Sequence, residues 1–235
     1  MIRPQVNRIR GIVALALTIA CAPASNTRQT AESTAVIPGA TVKAAAARAP
    51  TDSNITRADL ARIQGSATAP LWVIEVSDFQ CPYCKQWHDQ TYPMLLQQYV
   101  KTGKIRLAYV NFPLAIHVHA FPAAEAAMCA GAQAKFWPMH DALFSSQNSW
   151  ETLGSPTAAF DSLARSTGVD MTRWRDCMKS GEMRPLIEAD HDRAERAGAS
   201  ATPSFMIGNK LLVGAQSLDE LRTAIDSAMV RNRQQ

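Results

Sequence analysis

Apolar positions along this chain fall into runs of three kinds. The first, "GIVALALTIA" from Gly11 to Ala20, is uncharged and follows "MIRPQVNRIR", which carries Arg3, Arg8 and Arg10 and no acid. Ten helical residues cannot cross a bilayer core of about 30 Å, but they suit the apolar stretch of an export signal. From Ala22 to Thr56 the chain is rich in Ala, Thr, Ser and Pro and has no aromatic residue. Such a segment buries little apolar surface and reads as a tether. The remaining runs alternate between strand length and helical period. "LWVIEVS" (71–77) and "IRLAYVNF" (105–112) are short, apolar and β-branched, as buried strands are. Between them Trp87, Tyr92, Leu95, Leu96 and Tyr99 recur at helical spacing, predicting one long helix kinked at Pro93 and ended by Gly103.

Helical patterns follow. "FPAAEAAMCAGAQ" has Pro122 near its start, and in "KFWPMHDALF" Pro138 marks a break or a start. "SPTAAFDSLARSTG" predicts a helix with Ser155 as N-cap and Pro156 at the first helical position. "DMTRWRDCMKSG" puts Trp174, Cys177 and Met178 on one face before Gly181, and "PLIEADHDRAERAG" is a further helix. The period then changes to two short strands, "SFMI" and "KLLV", joined by Gly208-Asn209 as a two-residue hairpin turn. Ser217 and Glu220 have capping-box spacing, and Leu221, Ile225 and Met229 line the last helix. The order β-α-β, helices, β-β-α contains the parts of an α/β thioredoxin fold with a helical insertion between its halves. The expected organisation is a leader over residues 1–24, a tether over 25–56 and one domain over 57–235, with the insertion at about 114–199.

Composition narrows the compartment. The chain has 235 residues, 47 % of them hydrophobic, and a formal net charge of +4. Three arginines belong to the leader, so the rest of the chain carries +1, and no basic stripe argues for nucleic acid. There are five cysteines: Cys21, Cys81, Cys84, Cys129 and Cys177. An odd count in an exported protein asks for an explanation. "LTIAC" resembles a bacterial lipobox ending at Cys21, although Thr18 stands where leucine is usual, and Ala22-Pro23-Ala24 offers an ordinary cleavage site. Either route takes Cys21 out of the thiol pool. The other four allow three pairings in an oxidising compartment.

"DFQCPYCKQWH" holds Cys81 and Cys84 around Pro82 and Tyr83, immediately after a predicted strand and at the start of a helix. Zinc usually wants a second pair or suitably spaced histidines. Cys129 and Cys177 are single and far apart, and His88, His117, His119 and His140 are scattered, so no metal and no cofactor is expected. A structural bridge closing so short a loop would restrict the unfolded chain little. Disulfide exchange fits better. It needs an accessible thiolate at a helix N-terminus and a second thiol one turn away.

With "ATPSF" about 120 residues downstream, this stretch resembles the DsbA-like thiol:disulfide oxidoreductases of bacterial envelopes, over roughly Arg57 to Val230. The resemblance implies that Cys81 attacks and Cys84 resolves. It implies a cis peptide bond between Thr202 and Pro203 facing the sulfurs, with backbone offered to an extended substrate and the Thr202 hydroxyl beside the Cys81 thiolate. It gives Glu75, inside the apolar strand six residues before Cys81, the part of a buried acid assisting proton transfer; Asp78 ranks second, in the loop. It also pairs Cys129 with Cys177 as a structural disulfide bracing the insertion. The activity implied is dithiol–disulfide exchange in cysteine-containing envelope proteins by a monomer, recharged by a membrane redox partner. Tyr83 in place of the histidine of the strongest oxidases, and Thr202 before the proline, both point toward a weaker oxidant. Oxidase is favoured, with reductase or isomerase as the alternative. A peptide-binding envelope protein that does no exchange is the reading from another class.

Overall fold

The computed structural model describes residues 53–234. The leader, both cleavage sites, Cys21 and nearly all of the tether lie outside the described residues. The first described residue, Ser53, caps helix α1 (Asn54–Ala61) by accepting from the Thr56 N–H at 3.1 Å. Folded structure therefore begins before Arg57, and the last residues assigned to the tether are helical. The signal was a single serine cap in a Ser/Thr-rich segment, which a compositional reading passes over.

A two-residue strand β1 (Ile63–Gln64) follows, too short to show any alternation. Next come β2 (Trp72–Ser77), α2 (Pro82–Gln90), α3 (Tyr92–Leu95) and β3 (Arg106–Asn111). The predicted long helix is not one kinked helix. It ends at Gln90, restarts at Tyr92 and finishes in a π-helical turn over Leu96–Val100. Pro93 has no N–H to continue the ladder, so the chain recaps at Thr91, whose carbonyl accepts from Leu95 N–H at 3.0 Å.

Helices α4 (Ala120–Gly131), α5 (Phe136–Ser145), α6 (Gln147–Trp150), α7 (Thr157–Ser166), α8 (Met171–Ser180) and α9 (Arg184–Arg196) come next. Pro156, not Ser155, is the N-cap of α7, one residue later than the pattern predicts. The hairpin of β4 (Ser204–Ile207) and β5 (Lys210–Val213) turns on Gly208 at φ 61°, where a side chain would be strained. Helix α10 (Leu218–Arg233) opens with the complete Ser217–Glu220 capping box.

The five strands run β1-β3-β2-β4-β5. β2 and β3 are parallel, with Glu75 beside Tyr109, and β4 is antiparallel to β2, with Glu75 beside Phe205. One face carries Val73, Leu107, Phe205 and Ile207 against Trp87 of α2 and Leu221 and Ile225 of α10. The other face carries Val76 and Phe112 against Ala194 of α9. α9 thus covers the sheet, so the insertion proper is α4–α8. This is the thioredoxin fold with a helical insertion. Tyr109 and Phe79 reach from the sheet side into the insertion's own core of Met128, Phe136, Leu143 and Trp150.

Two long-range ties brace the fold, one between α9 and the sheet side and one within the insertion. Arg62 pairs with the fully buried Asp190, whose carboxylate also accepts from Asn111 Nδ2 at 2.9 Å. Breaking such a pair on one side leaves an uncompensated buried charge. The sulfurs of Cys129 on α4 and Cys177 on α8 are bonded, with a Cα separation of 5.8 Å across 48 residues of sequence. Closing a loop of this length stabilises by about 2–4 kcal/mol. The double variant Cys129→Ala/Cys177→Ala is expected to unfold at lower urea, with an unfolding free energy smaller by that margin, while alkylation of Cys81 proceeds at the wild-type rate. Equal urea midpoints would show that the bridge does not hold the insertion.

Candidate active site

Strand β2 ends at Ser77, and a four-residue loop leads into α2. Asp78 organises that loop. Its Oδ1 accepts from Gln80 N–H at 2.7 Å, and its Oδ2 accepts from Leu114 N–H at 2.9 Å and faces His117 Nδ1 at 2.7 Å. The carbonyl of Asp78 accepts from Cys81 N–H at 3.1 Å. Cys81 is the N-cap of α2, Pro82 takes the first helical position, and Lys85 N–H closes the first helical bond onto the Cys81 carbonyl at 3.1 Å. Proline lacks only an N–H that the first turn leaves unpaired anyway. The Cys81 sulfur thereby sits where N–H groups have no carbonyl partner and the helix dipole favours negative charge.

Helix α6 secures the same loop from the insertion. Gln147 Nε2 donates to the carbonyls of Phe79 at 2.7 Å and Cys81 at 3.1 Å. Gln80 bridges across, donating to the Glu151 carbonyl at 2.9 Å and accepting from His119 N–H at 2.6 Å. Opposite lies the segment before β4. The Thr202–Pro203 peptide is cis, and the Cys81 thiol donates to the Thr202 carbonyl at 3.4 Å, across 121 residues of sequence. The Thr202 hydroxyl is buried and makes no hydrogen bond to a described protein group. In the thiol form, then, the close contact is to the backbone and not to the hydroxyl.

The two thiols are free and unequal, and both are buried: Cys81 is 3 % exposed, where exchange chemistry predicts an accessible sulfur. The Cys84 thiol, donating to the Cys81 sulfur, lowers the Cys81 pKa to about 6. Burial opposes this, while the Thr202 hydroxyl, which can donate to the thiolate once it forms, and the N–H groups of Cys84 and Tyr83 add to it. Cys84 is 0 % exposed, one turn inside the helix, and burial pushes its thiol well above the ordinary value. The Cys81 sulfur raises it further. One sulfur of the pair thus accepts charge at neutral pH and the other keeps its proton. His117 lies on the same side: its hydrogen bond to Asp78 raises its pKa, and the Cys81 charge adds to the shift.

Glu75 is fully buried on the sheet face that α2 covers, beside Tyr109, with Ser77 next on the same face. Neither carboxylate oxygen is at hydrogen-bonding distance from a described protein donor. Burial lifts its pKa to about 7; the nearby Ser77 hydroxyl and His88 pull it down and Asp141 pushes it up. The structure therefore brings Cys81, Cys84, Thr202 and Pro203 together, with Glu75 in the layer below. Tyr83 is exposed, and Ile116 and Val118 are exposed on the loop that His117 and Leu114 anchor to Asp78. Cys129 and Cys177 are apart from this group. Asp78, His117, Gln80 and Gln147 were not identified from sequence as acting together. Their partners are 36 to 71 residues away, and polar residues in loops carry no periodic signal. Among the described residues, His88, His140 and Asp141 are grouped closely enough to hold a metal ion.

Over residues 58–227 the chain matches the thioredoxin family. The sodium/proton antiporter NhaA 1 of Salinispora arenicola is 31% identical over 176 residues, covering 74% of this chain. The chain spans only 26% of the antiporter's length, and no helix among the described residues is long and apolar enough to cross a membrane. A probable disulfide bond formation protein D of Bacillus anthracis is 27% identical over 168 residues, 70% of this chain and 76% of the relative. The crystal structure of oxidised BdbD from Bacillus subtilis matches with a TM-score of 0.65 at 23% identity, covering 72% of this chain and 92% of that one.

Burial of Glu75 has a consequence for stability. Its folded pKa of about 7 lies above the ordinary 4.5, so the folded state holds the proton more tightly than the unfolded chain. Its contribution is fully present below the unfolded value and is lost as pH rises through the folded one, a change on the order of 3 kcal/mol. In the oxidised protein, where neither cysteine of the pair titrates, Glu75→Gln is expected to melt above wild type at pH 8 and to lose that advantage near pH 4. Parallel pH profiles for the two proteins would show that Glu75 is not held in this state.

Proposed function

The chain belongs to the thioredoxin family, on its DsbA-like branch, and from that membership we propose that it is an exported oxidase that passes the Cys81–Cys84 disulfide to cysteine-containing envelope proteins. The observation that carries this reading is the inequality of the two thiols. A substrate thiolate attacks the Cys81 sulfur of the oxidised pair, the Cys81–Cys84 bond breaks, and Cys84 leaves with the electron pair. Cys84 takes up a proton, for which the buried Glu75 carboxyl would serve as donor. A second substrate thiolate then attacks the substrate sulfur of the mixed disulfide and releases Cys81 as thiolate. Two electrons have moved from the substrate to the Cys81–Cys84 pair. The low Cys81 pKa makes it a good leaving group in this last step and favours the reduced form of the enzyme, the direction an oxidase requires.

The rim supports an unfolded polypeptide as substrate. Tyr83, Ile116 and Val118 are large apolar side chains left exposed near the sulfurs. The Thr202 backbone before β4 offers an extended chain an edge to pair with, and the Thr202 hydroxyl can donate to the thiolate once it forms. A membrane redox protein would reoxidise the pair, and the working form would be a monomer. Export would follow from the N-terminal leader, with Cys21 as the residue for lipid attachment if the lipobox is used.

Cys84→Ser incubated with an unfolded polypeptide that carries a disulfide is expected to accumulate a mixed disulfide through Cys81, because no thiol remains to resolve it. Oxidised wild type, mixed with the reduced polypeptide, is expected to return it oxidised with Cys81 and Cys84 both free. No trapped complex and no substrate oxidation would overturn the proposal. Rapid reduction of the substrate by reduced enzyme, with no oxidation in the reverse mixture, would make the chain a reductase.

A further inference from the structure

A second group of polar side chains lies where α2 packs on α5, and the exchange chemistry makes no use of it. Asp141 Oδ1 is 2.8 Å from His140 Nδ1 and 3.4 Å from His88 Nε2. One ligand atom from each of the three residues lies within 4.8 Å of the other two. In a tetrahedral zinc site with metal–nitrogen and metal–oxygen bonds near 2.1 Å, neighbouring ligand atoms are about 3.4 Å apart. The Asp141–His88 distance matches that spacing, the Asp141–His140 distance is shorter than it, and the third separation is at most 4.8 Å.

The two imidazoles are held in place before any ion arrives. His140 is fully buried, with ring centroids of Tyr109, Trp137 and Phe144 at 5.3, 5.0 and 5.0 Å. Its Nε2 is buried among them without a hydrogen-bond partner among the described residues, so Nδ1 is the nitrogen turned toward Asp141. His88 is stacked on Phe144 at 5.0 Å. Its other nitrogen, Nδ1, faces Asp89 Oδ1 at 3.1 Å. A carboxylate behind an imidazole fixes the tautomer that leaves Nε2 with its lone pair facing the metal. The Lys85 ammonium, the neighbouring cation on α2, is engaged by Asp89 Oδ2 at 2.8 Å and by the Phe144 carbonyl at 3.1 Å. The Asp141 side chain is 52 % exposed, which opens a path from solvent and leaves room for water as a fourth ligand.

We propose that His88 Nε2, His140 Nδ1 and an Asp141 carboxylate oxygen bind one zinc ion, which clips the helical insertion to the helix that carries Cys81 and Cys84. Two imidazoles and one carboxylate form a donor set suited to zinc, and three protein ligands with an open position form a stable coordination. The sequence concealed the site because Asp141 is 53 residues from His88 and the adjacent pair His140-Asp141 has no ligand-spacing signature. An ion bound only by the folded state raises the melting temperature by mass action. The site stands on this geometry whether or not the chain exchanges disulfides.

The test uses the full chain, stripped of metal and oxidised so that neither sulfur of the Cys81–Cys84 pair can bind zinc. Zinc chloride is titrated against a chromophoric chelator, and thermal melts are recorded with and without the ion. One equivalent is expected to bind and to raise the melting temperature. His88→Gln and Asp141→Asn are each expected to weaken binding by at least about tenfold and to abolish the thermal shift. Asp141→Asn, at a half-exposed position, keeps the test valid if the change at His88 disturbs packing. Absence of saturable binding to wild type, or unchanged affinity in either folded variant, would overturn the site.

Discussion

Everything at this site depends on where a negative charge can rest. Cys81 and Cys84 are three residues apart and chemically identical, yet one caps the start of α2 and the other lies a full turn inside it. The first meets N–H groups that have no carbonyl to pair with; the second is held inside the helix, where burial disfavours its charged form. The charge is therefore stabilised on Cys81 and excluded from Cys84. That asymmetry, rather than the reactivity of thiols in general, gives exchange a direction of attack and a resolving step.

The fold serves this one placement from several distances. β2 delivers the loop, and Asp78 at its end gathers Gln80, Leu114 and His117 so that Cys81 falls on the N-cap. β4 brings the Thr202 carbonyl against the sulfur. The insertion reaches back with Gln147, which holds two carbonyls of the loop, those of Phe79 and Cys81. The insertion is therefore part of the site's framework. Its packing on α2 bears on the position of the sulfurs, while the α4–α8 disulfide braces the insertion internally.

Much of this was legible in the sequence, and the reasons are local. Strand lengths, helical spacing and the Ser217–Glu220 cap are short-range signals, and they predicted the order of elements. The Cys81–Cys84 pair was legible because Pro82 and the preceding apolar strand mark a helix start. Glu75 stood out because a carboxylate inside an apolar run needs an explanation; the structure puts it at full burial. What escaped was set by contacts between distant residues. Asp78 and His117, Gln147 and the Cys81 carbonyl, and the meeting of His88 with His140 and Asp141 all depend on how α5 and α6 return to the active-site helix. The strand β1 was too short to show a period. The break at Thr91 depended on how the chain recaps around Pro93, which spacing alone does not report.

The central claim is that the structure makes Cys81 a thiolate near neutral pH. The most direct measurement is the ultraviolet absorbance of thiolate in the reduced protein as a function of pH, with the Cys81→Ser variant as baseline. The account predicts a transition centred at about 6 that is present in wild type and absent from the variant. A Cys81 midpoint at or above about 8.5, the value of an unperturbed thiol, would contradict it.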